Sequence, residues 1–314
     1  MIDLHRHLEG SVRFETLVEL ARDVKLGLSR TELRRRTSMK GEKPGFLRFM
    51  SKFQLYRGLY PSRDWIERVA FEAAEDAKNE GITYLELRFS PTHFGRRMNA
   101  AGEDVAAWVA RGARRAGIEI TFIATYGRDF GVKGNEPTTR AVRGTTLFSG
   151  LDLAGTESVP AAPFIPLFRK LKLPVTIHAG EARGAGNVRE AMDRFGAKRI
   201  GHGVRILGDR DLVRRAVREG VVFETCPTSE IQTGAAKPGR RHPIAVMKDA
   251  GLKLTINTDD PSVCRTSLRA ELGAAKKMGF TEGDLRRALL HSALAAFLPE
   301  SRRRKLLARL AAVE

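Results

Sequence analysis

The sequence has few of the features that mark secreted, membrane-embedded or disordered proteins. Only two of its 314 residues are cysteines, Cys226 and Cys264, which is too few for a disulfide scaffold and suits a reducing cytosol. No apolar run approaches the roughly 18 residues of a membrane span, and the N-terminus shows no signal-peptide core. With 42% hydrophobic residues, the chain is too apolar for a disordered protein. We therefore expect a globular protein of the cytoplasm.

Acidic residues are fewer than basic residues. The chain has 37 Asp and Glu against 55 Lys and Arg, which gives a formal net charge of +18. A charge of this sign attracts anions and can favour nucleic-acid binding. The basic residues, however, are scattered along predicted helices, and no RNA-binding signature with interleaved aromatic residues is present. We expect a solvated basic surface and neither a nucleic-acid nor a membrane partner.

Short apolar runs rich in β-branched residues alternate with segments of amphipathic helical spacing. The predicted strands are residues 2–5, 82–89, 118–125, 145–153, 174–178, 199–202, 221–226 and 252–257. Helical patterns between them include residues 12–24, 64–80, 105–116 and 209–219. Parallel strands need crossover connections, so this alternation predicts βαβ units. About eight units in about 300 residues predict an α/β fold, the (β/α)₈ TIM barrel. An open doubly wound sheet is less favoured, because its glycine-rich fingerprint does not follow the first strand.

One connection is longer than the others. Residues 27–61 form a basic insertion after the first strand and first helix, and Phe46, Phe49 and Phe53 lie in it at helical spacing. Because βα connections lie on the catalytic face of a barrel, the insertion forms either a lid or a peripheral helical pair with its own small core. No repeat or linker divides the chain. We expect a single domain over residues 1–314, ending in a basic helix at 299–314.

Polar residues that a barrel core would not choose follow four of the predicted strands. They are His5-Arg6-His7, His178-Ala179-Gly180-Glu181, Gly201-His202-Gly203 and Asn257-Thr258-Asp259-Asp260-Pro261. In an extended chain, residues i and i+2 share a face, so the first pair of imidazoles can converge. Each motif alone fits a hydrogen-bonded core histidine or a helix cap. Together they place four histidines and three carboxylates at the strand ends where barrel catalysis occurs.

This set of side chains predicts a metal-assisted hydrolase. Three histidines and one aspartate are ligands suited to Zn²⁺ or another divalent transition ion. Glu181, His202 and a second aspartate are then free to transfer protons and to orient groups. A divalent ion lowers the pKa of water to roughly 7. The spacing therefore indicates hydrolytic attack on an sp² carbon.

Seven motifs in order resemble those of adenosine and adenine deaminases, which belong to the metal-dependent amidohydrolase superfamily. They are His5-Arg6-His7-Leu8-Glu9-Gly10, Leu87-Arg88-Phe89-Ser90-Pro91, Gly150-Leu151-Asp152-Leu153-Ala154-Gly155, His178-Ala179-Gly180-Glu181, Arg199-Ile200-Gly201-His202-Gly203, Cys226-Pro227-Thr228-Ser229 and Thr258-Asp259-Asp260-Pro261. The resemblance covers residues 2 to about 299. The other zinc deaminase class is excluded, because its H-x-E and P-C-x-x-C pattern is absent.

The resemblance implies a role for each matching residue. The residues that match the ligands of one zinc ion per chain are His5, His7, His178 and Asp259. Glu181 matches the acid that protonates purine N1, and His202 matches the residue that orients and deprotonates the attacking water. Asp260 matches the aspartate that hydrogen-bonds the attacking oxygen and the purine. The expected substrate contacts are His7, Glu9 near the ribose, the backbone N–H of Gly155 at purine N3, and Asp260.

The implied reaction belongs to purine metabolism. A 6-aminopurine nucleoside, adenosine or 2′-deoxyadenosine, becomes a 6-oxopurine and ammonia. Adenine is an alternative substrate, because Glu9 stands where animal adenosine deaminases typically carry Asp. A modified nucleoside with an anionic group, such as 6-aminodeoxyfutalosine or N6-methyl-AMP, is another. The candidate anion contacts are Arg96, Arg97, Lys40, Lys43 and Arg48. A noncatalytic purine or nucleic-acid binder is a remote alternative.

Several further residues are interpreted as structural. Glu230 stands where the family usually has Asn, and we interpret it as a surface substitution. His93, His242 and His291 have no partner at ligand spacing and are expected to have structural roles. Cys226 lies in an apolar strand and is expected to be buried.

Overall fold

The computed structural model describes residues 1–311, and it confirms the predicted barrel. Its eight parallel strands follow one another around a single sheet in chain order, β1 to β8. Their bounds are β1 Ile2–His7, β2 Tyr84–Phe89, β3 Glu119–Gly127, β4 Phe148–Ala154, β5 Val175–Ala179, β6 Arg199–His202, β7 Val222–Thr225 and β8 Lys253–Ile256. Backbone hydrogen bonds from His7 N to Asp259 O, 2.8 Å, and from Asp259 N to His5 O, 2.7 Å, join the end of β8 to β1. The barrel therefore closes at the end that carries the predicted site.

Seventeen helices are present in the described residues. Those before β4 are α1 Phe14–Asp23, α2 Arg30–Thr37, α3 Phe46–Ser51, α4 Arg63–Asn79, α5 Pro91–Gly95, α6 Gly102–Arg114, α7 Gly131–Gly134 and α8 Glu136–Gly144. Those after β4 are α9 Ile165–Leu171, α10 Ala185–Phe195, α11 Arg210–Glu219, α12 Pro227–Gln232, α13 Pro243–Asp249, α14 Pro261–Cys264, α15 Leu268–Lys277, α16 Glu282–Ala295 and α17 Glu300–Ala311. Three short 3₁₀ helices complete the connections: Arg128–Phe130, Ala162–Phe164 and Val204–Gly208. Within residues 1–311, no helix is long and apolar enough to cross a membrane.

The elements form where the sequence pattern predicts them, because burial follows the pattern. Strands β1 and β2 are buried along their whole length, as expected when helices cover the outer face of a parallel sheet. On α4, Ile66, Val69, Ala70, Ala73 and Ala77 are buried, and this is the 3.6-residue spacing of one helical face. The predicted bounds of the strands err by up to three residues, mostly where an apolar residue such as Ile82 belongs to the preceding turn.

The insertion is divided between the two predicted arrangements. Helix α2 packs as a peripheral element, with Leu33 in a small cluster with Val18 and Ala21 of α1. Helix α3 and the turn after it extend over the catalytic end of the barrel, where Phe49 and Phe53 contact each other with ring centroids 5.7 Å apart. One half of the insertion is therefore peripheral, and the other half covers the cavity described below.

Helix α17 closes the opposite end of the barrel. Leu306 on its inner face is 1% exposed and belongs to an apolar cluster with Ile2, Leu4 and Tyr84. Helix α17 spans Glu300–Ala311 of the basic segment predicted as a helix over residues 299–314, and residues 312–314 lie outside the described residues. Because this end is plugged, access to the barrel is from the end where the strands terminate in histidines and carboxylates.

Candidate metal centre and active site

Three imidazoles and one carboxylate converge at the catalytic end of the barrel. His178 Nε2 lies 3.1 Å from His5 Nε2 and 3.2 Å from His7 Nε2. Asp259 Oδ1 lies 3.4 Å from His5 Nε2 and 3.5 Å from His7 Nε2. All four side chains are buried. The β1, β5 and β8 ends deliver them, so residues far apart in the chain meet within one small volume.

The distances and donor types fit a divalent transition ion. Ligand distances of roughly 2.0–2.1 Å in a tetrahedron separate neighbouring ligand atoms by about 3.3 Å, close to the separations found here. Three imidazole nitrogens and a carboxylate oxygen are the ligand set typical of Zn²⁺ and its neighbours. His202 lies somewhat farther out, with Nε2 3.8 Å from Asp259 Oδ2. Ligand atoms of His5, His178, His202 and Asp259 nevertheless all lie within 4.8 Å of one another, so distance alone does not separate His202 from the residues that match the family's ligands.

The protonation of two histidines strengthens the case for a cation. His5 Nδ1 lies 2.8 Å from Glu224 Oε2, and His178 Nδ1 lies 2.9 Å from Asp152 Oδ1. An ionised carboxylate only accepts hydrogen bonds, so we assign the proton of each neutral imidazole to Nδ1. The two Nε2 atoms then direct lone pairs at each other, and a shared cation removes that repulsion. This carboxylate–histidine pairing is the usual support of metal-binding imidazoles.

Two buried arginines keep these supporting carboxylates ionised. Although burial opposes ionisation, Arg199 and Arg88 hold the pKa of Glu224 well below its usual range. Burial also opposes the ionisation of Asp152, but His178 and Arg88 hold its pKa well below its usual range. Arg88 donates to Glu224 at 2.8 Å and to Asp152 at 3.2 Å. Asp152, Arg88 and Arg199 lie in the resembling motifs, but no local sequence pattern predicts their supporting roles or that of Glu224.

Glu181 is positioned by a second carboxylate that the sequence analysis missed. The Glu157 side chain accepts the backbone N–H of Glu181 at 2.9 Å and that of Arg183 at 2.8 Å. These bonds fix the loop after β5 that carries Glu181. Burial raises the pKa of Glu181 to about 7, with His202 opposing the shift. A carboxyl with such a pKa is protonated for much of the time near neutrality and is suited to donate a proton.

Glu230 is the main correction to the sequence analysis, because it is not a surface residue. It is fully buried at the start of α12, and its carboxylate accepts the backbone N–H of Cys226 at 3.0 Å. Its Oε1 lies 3.7 Å from His202 Nδ1, an ionic contact rather than a short hydrogen bond. Burial lowers the pKa of His202, but Glu181, Glu230 and Asp259 together raise it to about 10. His202 is therefore held between carboxylates on both sides of its ring.

Unusual backbone conformations occur where these residues lie. His202 and Asp259 have φ values of 61° and 62°, a left-handed region that residues other than glycine rarely occupy. Strain of this kind is concentrated at functional sites. Gly10 leaves room for Asp260, since a Cβ at residue 10 would collide with the Asp260 carboxylate. Burial and the neighbouring Asp259 raise the pKa of Asp260 well above its usual range.

A cavity rises from this cluster toward solvent. The predicted substrate contacts His7, Glu9, Gly155 and Asp260 all line it, together with Glu181 and His202. Phe46, Phe49, Met50 and Phe53 of the insertion line its outer part. Gly155 has a φ of 98° and lies so close to Asp129 Oδ2 that a Cβ would be 2.6 Å away. Every predicted site residue except His5 thus lines one cavity, with aromatic walls suited to a planar base. His5 is in contact with that lining, with its Nε2 3.1 Å from His178 Nε2.

The predicted anion contacts are not found in the cavity. None of Arg96, Arg97, Lys40, Lys43 and Arg48 is among the residues that line it in the described part of the chain. Arg48, for example, donates to the Lys43 carbonyl oxygen at 2.7 Å, outside the cavity. Two other residues, Arg57 and His93, line it instead, although the sequence predicts a purely structural role for His93. The expected structural placement of His242 and His291 agrees with their contacts, to the backbone of Ile244 and of Leu254. Cys226 is buried as predicted.

The comparisons with known proteins agree with this geometry. A family model described as "Adenosine deaminase" matches residues 1–313. The chain is 35% identical to the adenosine deaminase of Aliivibrio fischeri over 98% of its own length and 96% of that protein's. A solved amidohydrolase from Burkholderia ambifaria with bound Zn is 27% identical, with a TM-score of 0.90 over 99% of this chain and 89% of that one. An adenine deaminase from Arthrobacter aurescens, 24% identical, has the same fold, with a TM-score of 0.87 over 99% and 97% of the two chains.

Proposed function

Since the chain belongs to the adenosine deaminase family, we propose that it hydrolyses the exocyclic C6–N bond of a 6-aminopurine nucleoside, adenosine or 2′-deoxyadenosine. The products are the corresponding 6-oxopurine and ammonia. The observation that carries this proposal is the convergence of His5, His7, His178 and Asp259 beside a buried Glu181 at the closed end of the cavity. Family membership supports a metal-dependent enzyme, and the donor set supports Zn²⁺ as the metal.

The metal centre supplies one element of the chemistry. When bound, a divalent ion acts as a Lewis acid and lowers the pKa of water toward neutrality. Its proposed ligands are His5, His7, His178 and Asp259. Glu224 and Asp152 fix the tautomers of His5 and His178, so that the Nε2 lone pairs of these two residues would be available to hold the ion.

The remaining site residues bind the base and move protons. Glu181, protonated near neutrality, donates its proton to purine N1 and so makes C6 electrophilic. His202 lies 3.8 Å from Glu181 and is proposed to orient the attacking water. A divalent cation held beside Asp259 would lower the pKa of His202 that the carboxylates raise, so that its imidazole could accept the proton of that water. Asp260 has an Oδ1 with no hydrogen-bond partner among residues 1–311, and this atom is available to the attacking oxygen and the purine. The Gly155 N–H is proposed to bind purine N3.

Glu9 is proposed to bind the sugar. Glu9 lines the cavity. Its Oε1 accepts the Ser90 backbone N–H at 2.8 Å, while Oε2 has no partner within the described residues. A second carboxylate oxygen in this position is suited to accept a ribose hydroxyl. If the chain is instead an adenine deaminase, this atom faces no sugar, and Glu9→Asp will leave the ratio of adenosine to adenine turnover unchanged.

The test is ammonia release by the zinc-loaded protein from adenosine, 2′-deoxyadenosine and adenine. We expect turnover of the two nucleosides, with stoichiometric formation of the 6-oxopurine. Faster turnover of adenine would show that the free base, and not the nucleoside, is the preferred substrate. No ammonia from any 6-aminopurine, with the metal shown to be bound, would overturn the proposed reaction.

A further inference from the structure

A second cavity lies at the end of the barrel opposite the candidate active site, and we call it the basal cavity. The first residues of three strands line it: Arg199 of β6, Val222 of β7 and Lys253 of β8. Because the strands are parallel, their first residues lie at one end of the barrel and the site residues, such as His202 at the end of β6, lie at the other. The volume of the basal cavity is about 660 Å³. Ligand sites typically occupy roughly 300–1,000 Å³, and the proposed deamination makes no use of this one.

The wall of the basal cavity is mostly apolar. Six apolar residues line it, from the starts of β5 and β7, the end of α16 and the segment that follows α16: Pro174, Val222, Leu294, Ala296, Phe297 and Leu298. Leu294 is 51% exposed, and Leu290, one turn earlier on α16, is 45% exposed. Contiguous exposed apolar surface marks an interaction site more often than single scattered residues do. The basal cavity therefore presents apolar surface to a ligand both inside and at its opening.

The buried part of this wall is rigid, because its arginine is held by several bonds. The Arg199 guanidinium lies 4.0 Å from the centroid of the Phe297 ring. Arg199 Nε donates to Glu224 at 2.5 Å, and Nη1 lies 2.7 Å from Glu86 Oε2. Nη1 also donates to the Ala295 carbonyl oxygen at 3.1 Å. Two carboxylates thus neutralise Arg199, which shapes the wall without adding net positive charge. A ligand meets a surface that is already ordered, which lowers the cost of binding.

The charge of the basal cavity favours an anion. Three further basic residues line it, and no Asp or Glu does in the described part of the chain: Lys198, Lys253 and Arg303. Lys198 Nζ lies 3.9 Å from the Glu219 carboxylate, which is a weak pair at the surface. His291 also lines the cavity, but burial lowers the pKa of this imidazole and leaves it uncharged near neutrality. A concave surface with charges of one sign attracts the opposite charge.

Arg303 is the cation best placed to bind that anion. It is half-buried on α17, between Arg302 and Arg304. Each of these two neighbours pairs with a glutamate, whereas the Arg303 guanidinium has no ion pair or hydrogen bond within residues 1–311. It lines the basal cavity instead. A guanidinium presents a planar set of donors that matches the two oxygens of a carboxylate.

We propose that the basal cavity binds an organic anion with an apolar body, of the chemical class of medium-chain carboxylates. The apolar wall contacts the hydrocarbon chain, and Arg303, Lys253 and Lys198 contact the head group. An inorganic anion leaves the apolar wall uncovered, and a neutral hydrocarbon leaves the cations without a counter-ion. A second copy of this chain fits less well, because a twofold contact places the basic surface against itself in a protein of net charge +18. The proposal does not depend on the proposed deamination.

The experiment is calorimetric titration of the metal-loaded protein with octanoate. We expect one octanoate to bind per chain, at least tenfold more tightly than 1-octanol, which lacks the charge, and than inorganic phosphate, which lacks the apolar body. A ligand that binds only the folded state also stabilises it. Octanoate should therefore raise the melting temperature, which gives a second measurement of the same binding.

Two variants locate the site, and each has a matched control. Arg303→Met should weaken octanoate binding at least tenfold, while Arg304→Met, the same change at the next residue of α17, should not. Leu294→Asp should abolish binding, while Leu290→Asp, one turn away on α16, should retain it. Neither control residue lines the basal cavity. The altered side chains are exposed or half-buried, and a thermal melt without octanoate checks that each variant is folded.

Four results would overturn the proposal. The first is the absence of saturable octanoate binding by the wild type at millimolar concentrations. Equal affinity for 1-octanol would refute the role of the cations, and equal affinity for phosphate would refute that of the apolar wall. A loss of octanoate binding in Arg57→Met but not in Arg303→Met would place the ligand in the cavity of the candidate active site.

Discussion

Replacing Asp152 by Asn should weaken metal binding while leaving the barrel folded. Asp152 Oδ1 accepts the His178 Nδ1–H at 2.9 Å, and its Oδ2 accepts from Arg88 at 3.2 Å. Asparagine has the same shape, but it loses the negative charge that supports the basicity of the His178 Nε2 atom. Removal of such a supporting carboxylate typically costs 10–100-fold in metal affinity. That loss corresponds to about 1.4–2.8 kcal/mol of binding free energy.

The structure also limits the cost to folding. After the substitution Arg88 keeps its bonds to Glu224 at 2.8 Å and to the Leu4 carbonyl oxygen at 2.7 Å, so its charge stays paired. We therefore expect less than the roughly 3–5 kcal/mol that follows when a buried charge loses its only partner.

The assay is a competition between the protein and a chelator for zinc, with a thermal melt of the metal-free form alongside. Asp284→Asn is the matched control, because Asp284 caps α16 away from the site and should cost stability but not metal affinity. An unchanged zinc affinity in Asp152→Asn, or an equal loss in Asp284→Asn, would refute the role of Asp152.

Three further predictions concern single residues. Glu230→Gln should lower the pKa of His202, whose ring the Glu230 carboxylate contacts at 3.7 Å, and should shift the His202-controlled limb of the kcat–pH profile to lower pH; an unshifted profile would argue against the contact. Burial raises the pKa of Glu271 from 4.5 to about 7, so the folded state loses stability as pH rises between those values. The Glu271→Gln variant cannot ionise and should therefore lack about 3 kcal/mol of this loss. The measurement is the free energy of urea unfolding at about pH 5 and about pH 8 for both proteins. Gly10→Ala should reduce kcat at least tenfold and destabilise the fold by about 1–3 kcal/mol, because the new Cβ displaces Asp260; a wild-type kcat and melting temperature would contradict the close approach.

The barrel and the positions of the site residues could be predicted from the sequence because both depend on local patterns. A run of β-branched residues that ends in a histidine places that histidine at the catalytic end of a strand, whichever helix follows. The closed barrel of eight parallel strands then brings these strand ends together, which is why His5, His178 and Asp259 meet as predicted. The roles implied for these residues are predictions that the experiments above test.

The environments of Glu230 and Arg57 could not be predicted in this way. A glutamate in the first turn of a helix after Pro227 is typical of an exposed residue that complements the helix dipole. Glu230 is buried because α12 begins inside the rim of the barrel, beside His202. No local sequence pattern predicts that position of the helix. Arg57 is one of many arginines in a basic sequence. Its position at the cavity wall depends on how the insertion folds back against Phe130.

The most direct test of the account is the rate of ammonia release from adenosine by Glu181→Gln, with zinc content measured in the same sample. Glutamine preserves the size of the side chain but has no acidic proton to donate, so we expect zinc to stay bound while kcat falls at least a hundredfold. Glu190→Gln on the exposed side of α10, which pairs with Arg194, is the matched control and should retain wild-type kcat. A fully active, zinc-loaded Glu181→Gln enzyme would contradict the assignment of Glu181 as the acid and, with it, the proposed mechanism.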